Sequence, residues 1–196
     1  MYIPKAFEIN DLDEIRRFVS ANAFGQLISQ VEGRLFSTHL PFLFADDLSR
    51  LSAHFAKQNP QLESLEGQEV MVTIEGPHDY ISPSWYASAG VPTWNYQVVH
   101  IYGQCRLFDD ASRLNDLLQK LTKKYESNFS RPWQVNYPPA MLNGIVGFEM
   151  TIKDIQCKFK LNQNRSKEDQ QKVADMLAGL GSDELAKAMK KCDEQR

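Results

Sequence analysis

The sequence predicts an α+β domain built on an antiparallel barrel, and three observations predict it. Six or seven short stretches alternate apolar and polar residues with a period of two. The longer helical patterns lie at the start, after the fifth strand, and at the end. No internal repeat or low-complexity linker divides the chain. Spacing alone leaves the strand topology open.

The elements follow in order. Asn10 can cap a helix over about 11–22, with Asp11, Asp13 and Glu14 in its first turn and Leu12, Ile15 and Val19 on one face. Phe24–Val31 and Arg34–Phe44 form a hairpin around Glu32-Gly33. In its second strand Phe36, Leu40, Phe42 and Phe44 share one side, Ser37 and His39 the other, and Pro41 interrupts the donor ladder. Leu51–Phe55 alternates again, and Asn59-Pro60 starts a short helix. Val70, Val72 and Ile74 mark another half-buried strand. Residues 76–93, holding Gly76, Pro77, Pro83, Gly90 and Pro92, read as an irregular and functional loop.

A long strand over 94–108 leads to a helix from Asp110 to about Ser127 that carries Leu114, Leu117, Leu118 and Leu121. The tract 128–144 is loop-rich. Across 145–161 the apolar phase slips: Val146, Phe148, Met150 and Ile152 are even, whereas Ile155, Cys157, Phe159 and Leu161 are odd. A bulge or bend near Lys153-Asp154 reconciles the two. Ser166 with Asp169 resembles a capping box for a helix to Ala178, Gly179-Leu180-Gly181 breaks it, and Ser182 caps a last helix to about Cys192. The expected division is a barrel domain over 1–165 and a C-terminal helical hairpin over 166–196.

At 196 residues the chain is long enough to bury about 70% of its unfolded surface without a staple. Its 42% hydrophobic and 24% charged content excludes a disordered or collagenous chain. A net charge of −3 disfavours general adhesion to nucleic acid, which needs a clustered positive field. The 11 Phe, 7 Tyr and 3 Trp fit two readings, a core filling or the walls of a pocket for a flat ligand. Cys105, Cys157 and Cys192 stand apart, with no CxxC and no His at zinc spacing. The start MYIPKAFEIN lacks a basic and an apolar leader region, and no apolar run approaches a membrane span. A reduced, cytoplasmic protein without membrane or metal is expected.

GxSxG, HExxH, Walker A and GxGxxG are all missing, and no carboxylate pair stands out, so no catalytic residue is nominated. His39, His54, His78 and His100 show no ligand spacing. Lys158, Lys160 and Arg165 beside the Ser166 helix start fit anion binding, and equally a solvated basic edge strand. Residues 166–196 carry six basic and seven acidic residues, which favours a solvated hairpin covering a dimer seam over a DNA-reading helix-turn-helix.

Several longer strings are more specific. GPHDYISPSWY at 76–86, VPTWNY at 91–96 and His100-Ile101-Tyr102-Gly103 resemble the PaiB family. So do HLP at 39–41, HFAKQNP at 54–60, IVGFE at 145–149 and KFKLNQNRS at 158–166, all in the family's order. The resemblance implies an FMN-binding negative transcriptional regulator with the antiparallel split β-barrel of flavin reductases and pyridoxamine-phosphate oxidases. It implies a homodimer with FMN in a groove that touches both chains. By that analogy His54 and Lys57 approach the phosphate and His39 the ribityl chain or ring edge. Thr93, Trp94 and Asn95 lie near the ring, and Lys160, Gln163 and Arg165 reach in from the second chain. Trp85 fits packing equally well. The net charge makes DNA contact indirect on this reading. Two alternatives stay open: an FMN-dependent oxidoreductase or flavin reductase, and a haem-binding split barrel that uses one of the four histidines.

Overall fold

Glu32 and Gly33 both adopt positive φ, 49° and 77°. That is the backbone of the two-residue turn whose twist matches a β-hairpin. It joins β1 (Phe24–Val31) to β2 (Arg34–Pro41), paired from Val31↔Arg34 to Phe24↔Pro41. A computed structural model describes residues 1–194. The remaining strands are β3 (Leu43–Phe44), β4 (Arg50–Ala56), β5 (Glu69–Ile81), β6 (Thr93–Phe108) and β7 (Ile145–Lys160). The helices are α1 (Leu12–Ala21), α2 (Leu62–Leu65), α3 (Ala111–Glu126), α4 (Pro139–Leu142), α5 (Lys167–Gly179) and α6 (Asp183–Glu194). The strands form one seven-stranded antiparallel sheet in the order β2-β1-β5-β6-β7-β4-β3, and it is not closed.

Three expectations shift. The Asp11 carboxylate, not Asn10, accepts from the Glu14 N–H at 2.9 Å, so α1 starts one residue later. The strand expected over 34–44 breaks at Phe42, whose N–H turns to the Ala23 carbonyl at 2.8 Å. Pro41 beside it has no N–H to continue the ladder. The third shift is the largest: β5 passes through Gly76-Pro77 to Ile81, so only 82–92 is irregular, around a 3₁₀ turn at Pro83–Trp85. Alternation carries it, with Ile81 fully buried. The phase slip of β7 is present within one strand: Phe148 and Met150 are buried, then Cys157 and Phe159, with Lys153 and Asp154 exposed between them.

Contacts divide the chain into two compact units. One comprises Met1–Ile15, Glu75–Val99 and the chain from Gln156 onward. Its core holds Ile81, Val99, Phe159 and Leu161, with Val173 and Leu177 of α5 and Leu185 and Met189 of α6. The N-terminal segment bridges β7 through Glu8↔Lys158, and the Ile9 N–H donates to the Cys157 carbonyl at 3.2 Å.

The second unit comprises Arg16–Ile74 and His100–Ile155. Its core gathers Leu27, Phe42, Leu51, Phe55, Val72, Ile101 and Phe148, and α3 adds Leu114, Leu117 and Leu121. Asp110 caps α3 by accepting from the Arg113 N–H at 2.9 Å. Gln61, fully buried, donates to Ser29 Oγ at 2.8 Å and to the Phe36 carbonyl at 3.2 Å, and accepts from the Thr38 hydroxyl. A satisfied amide of this kind pins α2 to the hairpin. Burial pushes the Cys105 thiol up to about 12, helped by the Glu66 charge. Burial also raises Cys157 of the first unit to about 12, with a smaller contribution from Glu14. Both thiols stay protonated at neutral pH, which removes them as nucleophiles.

Candidate functional site

In the first unit β5, β6 and β7 lie side by side, and a strand sends successive side chains to opposite faces. The odd positions turn toward the C-terminal helices. Asn95 Nδ2 donates to Met189 Sδ at 3.4 Å, and the Ser182 hydroxyl donates to the Asp79 carboxylate. The even positions make the other face: His78 and Tyr80 from β5, Trp94 and Tyr96 from β6, Lys158 and Lys160 from β7. Trp94, 53% exposed, has the Tyr80 ring edge-on at 6.2 Å and the His78 ring tilted at 6.4 Å. The result is an aromatic floor with cations along one side.

Those cations are fixed rather than free-swinging. Lys158 is 8% exposed, over the Tyr2 and Tyr96 rings at 5.9 and 5.3 Å, and donates to the Tyr2 carbonyl at 3.2 Å. Lys160 Nζ donates to Thr93 Oγ1 at 2.6 Å and to the Trp94 carbonyl. The Arg165 guanidinium lies 4.4 Å over the Tyr86 ring and donates to the Ala89 carbonyl at 3.0 Å. Among the described residues, no carboxylate forms an ion pair with any of the three. Burial lowers the pKa of Lys160, and the charges of Lys158 and Arg165 lower it further. An anion placed here would relieve that cost.

The loop that holds Arg165 has its own anchor. The Asp169 carboxylate accepts from the Ala87 N–H and the Ser88 hydroxyl, each at 2.7 Å, while its own N–H donates to Ser166 Oγ at 3.1 Å. At Gly90 a Cβ would stand 2.4 Å from the Tyr86 ring, so only glycine lets the chain pass under it. The Ser88 hydroxyl and then the Ala87 N–H hold Asp169 below the usual carboxylate range. A depressed folded-state pKa makes its contribution complete above the unfolded value, and the contribution vanishes as pH falls through the folded one. Wild-type stability should therefore fall in acid below about pH 4, and Asp169→Asn should lack that component. Denaturant midpoints at pH 6 and pH 3 measure it; equal acid losses in the two proteins would contradict this role.

The nine nominated residues separate into groups. Thr93, Trp94, Lys160 and Arg165 meet around the aromatic floor or its loop. Asn95, at 0% exposure, faces Met189 with its Oδ1 unpartnered among the described residues, so it lies on the opposite face from Trp94. Gln163 accepts from the Leu161 N–H at 2.6 Å and donates to the Phe159 carbonyl, closing the end of β7. His39, His54 and Lys57 belong to the second unit. His39 is exposed on β2, its ring stacked on Phe24 at 6.1 Å. Lys57 is exposed after β4, with its N–H on the Gly144 carbonyl at 2.9 Å. His54 lies against Leu118, Leu121 and Tyr125 of α3 in an aromatic cavity. Burial lowers its pKa, so its ring is neutral at pH 7. Sequence reasoning missed Tyr80, Tyr86 and Asp169. The first two sit inside GPHDYISPSWY, whereas Asp169 showed only as a capping residue.

Tested against FMN, the first unit supplies what that molecule needs. An isoalloxazine ring needs an apolar or aromatic platform, and a phosphate needs cations or N–H donors that are not already neutralised. Trp94 and Tyr80 offer the first, Lys160 and Arg165 the second. Asn162 Nδ2 beside them is buried without a partner among the described residues, and the Asn162 Oδ1 accepts from Tyr86 at 3.5 Å.

The fold is that of the flavin-binding split barrels. The flavocytochrome Anf3 of Azotobacter vinelandii superposes with a TM-score of 0.64 at 16% identity, over 86% of this chain and 77% of that one. The FAD and haem binding protein of Mycobacterium smegmatis gives 0.64 at 14%, over 83% and 78%. A family model described as "Putative FMN-binding domain" matches residues 1–154. "Protease synthase and sporulation protein PAI 2" of Bacillus subtilis is 40% identical over 185 residues, covering 90% of this chain and 89% of that protein. The chain belongs to the PaiB family of FMN-binding-domain proteins. The family match ends before Lys158, so the cation cluster lies beyond the matched domain. No helix among the described residues is long and apolar enough to cross a membrane.

Proposed function

We propose that this chain is a homodimeric PaiB-type regulator whose FMN rests on the even face of β5, β6 and β7 in the first unit. The observation that carries the reading is the set of three positioned cations with no carboxylate ion-paired to them among the described residues, bordering an exposed Trp94. Lys160 and Arg165 hold the phosphate, with the Thr93 hydroxyl fixing the Lys160 ammonium. Trp94 and Tyr80 form one wall of the ring site. A bound FMN supplies hydride or single-electron chemistry, so the chain needs no acid or base of its own for that step. Control of transcription is indirect on this reading. The net charge is −3, and the C-terminal hairpin carries nearly balanced charge.

The deciding experiment is a visible spectrum of purified protein followed by FMN titration, with sedimentation equilibrium for the dimer. Saturable uptake of one FMN per chain is expected; no uptake overturns the reading. Lys57→Ala run in the same titration decides whether the second unit reaches the phosphate, and unchanged affinity removes Lys57. Tight, sequence-specific and salt-sensitive DNA binding by the pure protein would replace indirect control with direct.

A further inference from the structure

The second unit carries a groove that the flavin reading does not use. Segment 128–138 crosses α3 and is strapped to it. The Trp133 backbone N–H donates to the Glu126 carboxylate at 2.6 Å, Thr122 and Tyr137 share a hydroxyl hydrogen bond at 2.6 Å, and the Trp133 and Tyr137 rings meet edge-on at 5.5 Å with 66° between their planes. One lobe, of about 300 Å³ and called inner because His54 lines it, is walled by His54, Leu121, Tyr125 and Tyr137. An outer lobe of about 580 Å³ is bordered by Lys120 and Lys123. Thr122, Glu126 and Trp133 line both, so the two lobes adjoin.

The chemistry changes from one lobe to the next. In the inner lobe, His54 Nδ1 is sealed from solvent and has no partner among the described residues. Nε2 is therefore the nitrogen left to meet a ligand. The ring is neutral, because burial disfavours its charge. A lobe with aromatic walls and a neutral His54, whose Thr122 and Glu126 are already hydrogen-bonded, suits a flat ring bearing one polar atom, not a phosphate. The Glu126 carboxylate, the one acid in either lobe, is already engaged by Trp133 N–H. Lys120 and Lys123 are exposed and form no ion pair among the described residues.

We propose that this groove is a second ligand site for a small aromatic carboxylate, its ring in the inner lobe against Trp133 and hydrogen-bonded to His54, its carboxylate at Lys120 and Lys123. All of its residues belong to the second unit, and none is among those assigned to the flavin floor. It gives the protein an input distinct from its cofactor.

Indole-3-acetate is the probe, titrated calorimetrically into the full chain with and without saturating FMN, and indole is its uncharged control. Saturable one-site binding of indole-3-acetate, unchanged by FMN, is expected. The double variant Lys120→Ala/Lys123→Ala should weaken the carboxylate about tenfold and leave indole unchanged. His54→Leu should weaken both. Trp133→Ala, on an exposed side chain that threatens folding least, should weaken both as well. Absence of saturable binding overturns the site, and so does displacement by one equivalent of FMN, which would make the groove part of the cofactor site. An equal effect of the lysine substitutions on indole and indole-3-acetate would overturn the assigned orientation.

Discussion

Phe148→Ala should lower the unfolding free energy by about 3–5 kcal/mol, the largest single-residue effect expected here. Phe148 is fully buried on β7, directly across from Ala53 of β4. Its ring meets Phe42 edge-on at 6.3 Å and Phe55 at 5.2 Å. Removing it deletes transfer energy and leaves a cavity between the Phe55 ring on β4 and the Phe42 ring at the break between β2 and β3, which cannot both collapse into the space. For a chain of this length the melting temperature should drop by roughly 6–20 °C. Phe148→Leu keeps most of the volume and should cost much less. Phe36, 37% exposed on the end strand β2, is the contrast: its alanine variant should stay within about 1 kcal/mol of wild type. Denaturant unfolding followed by circular dichroism measures all three, and a loss below about 1 kcal/mol for Phe148→Ala would contradict the packing account.

What the sequence made legible was local. The hairpin at Glu32-Gly33, the Asp110 cap of α3 and the phase slip of β7 each follow from side chains within a few residues of one another. The passage of β5 through Gly76-Pro77 was not legible, because local breaker signals were outweighed by burial of Ile81. His54 shows the same limit at the site. Its motif HFAKQNP gives its strand but not its cover, and α3, sixty residues away, turns it into a neutral group in an apolar cavity. Asn95 is the mirror case. Alternation separates it from Trp94 and Tyr96 but does not say which face stays open, and Met189 of α6 decides that. Lys158, Lys160 and Arg165 were legible as a cluster of cations that fits an anion site and a basic edge strand equally, whereas the carboxylate that braces the Arg165 loop, Asp169, carried only a capping signal.

Lys160→Ala and Arg165→Ala should each weaken FMN by about ten- to a hundredfold while leaving riboflavin affinity unchanged. The two ligands share the ring and ribityl chain and differ only in the phosphate. A group that acts on the phosphate therefore moves one and not the other. The physical basis is the unpaired positive field: burial and two neighbouring cations disfavour the Lys160 ammonium in the free protein, and a phosphate removes that penalty on binding. FMN affinity should also fall with added salt, because Arg165 is only half-buried and its attraction is screened. Trp94→Ala should act the other way, weakening both ligands together, since it removes the floor rather than the charge. Equal losses of FMN and riboflavin in the Lys160 variant would mean that Lys160 braces the Thr93–Trp94 backbone to which it is bonded and does not meet the phosphate.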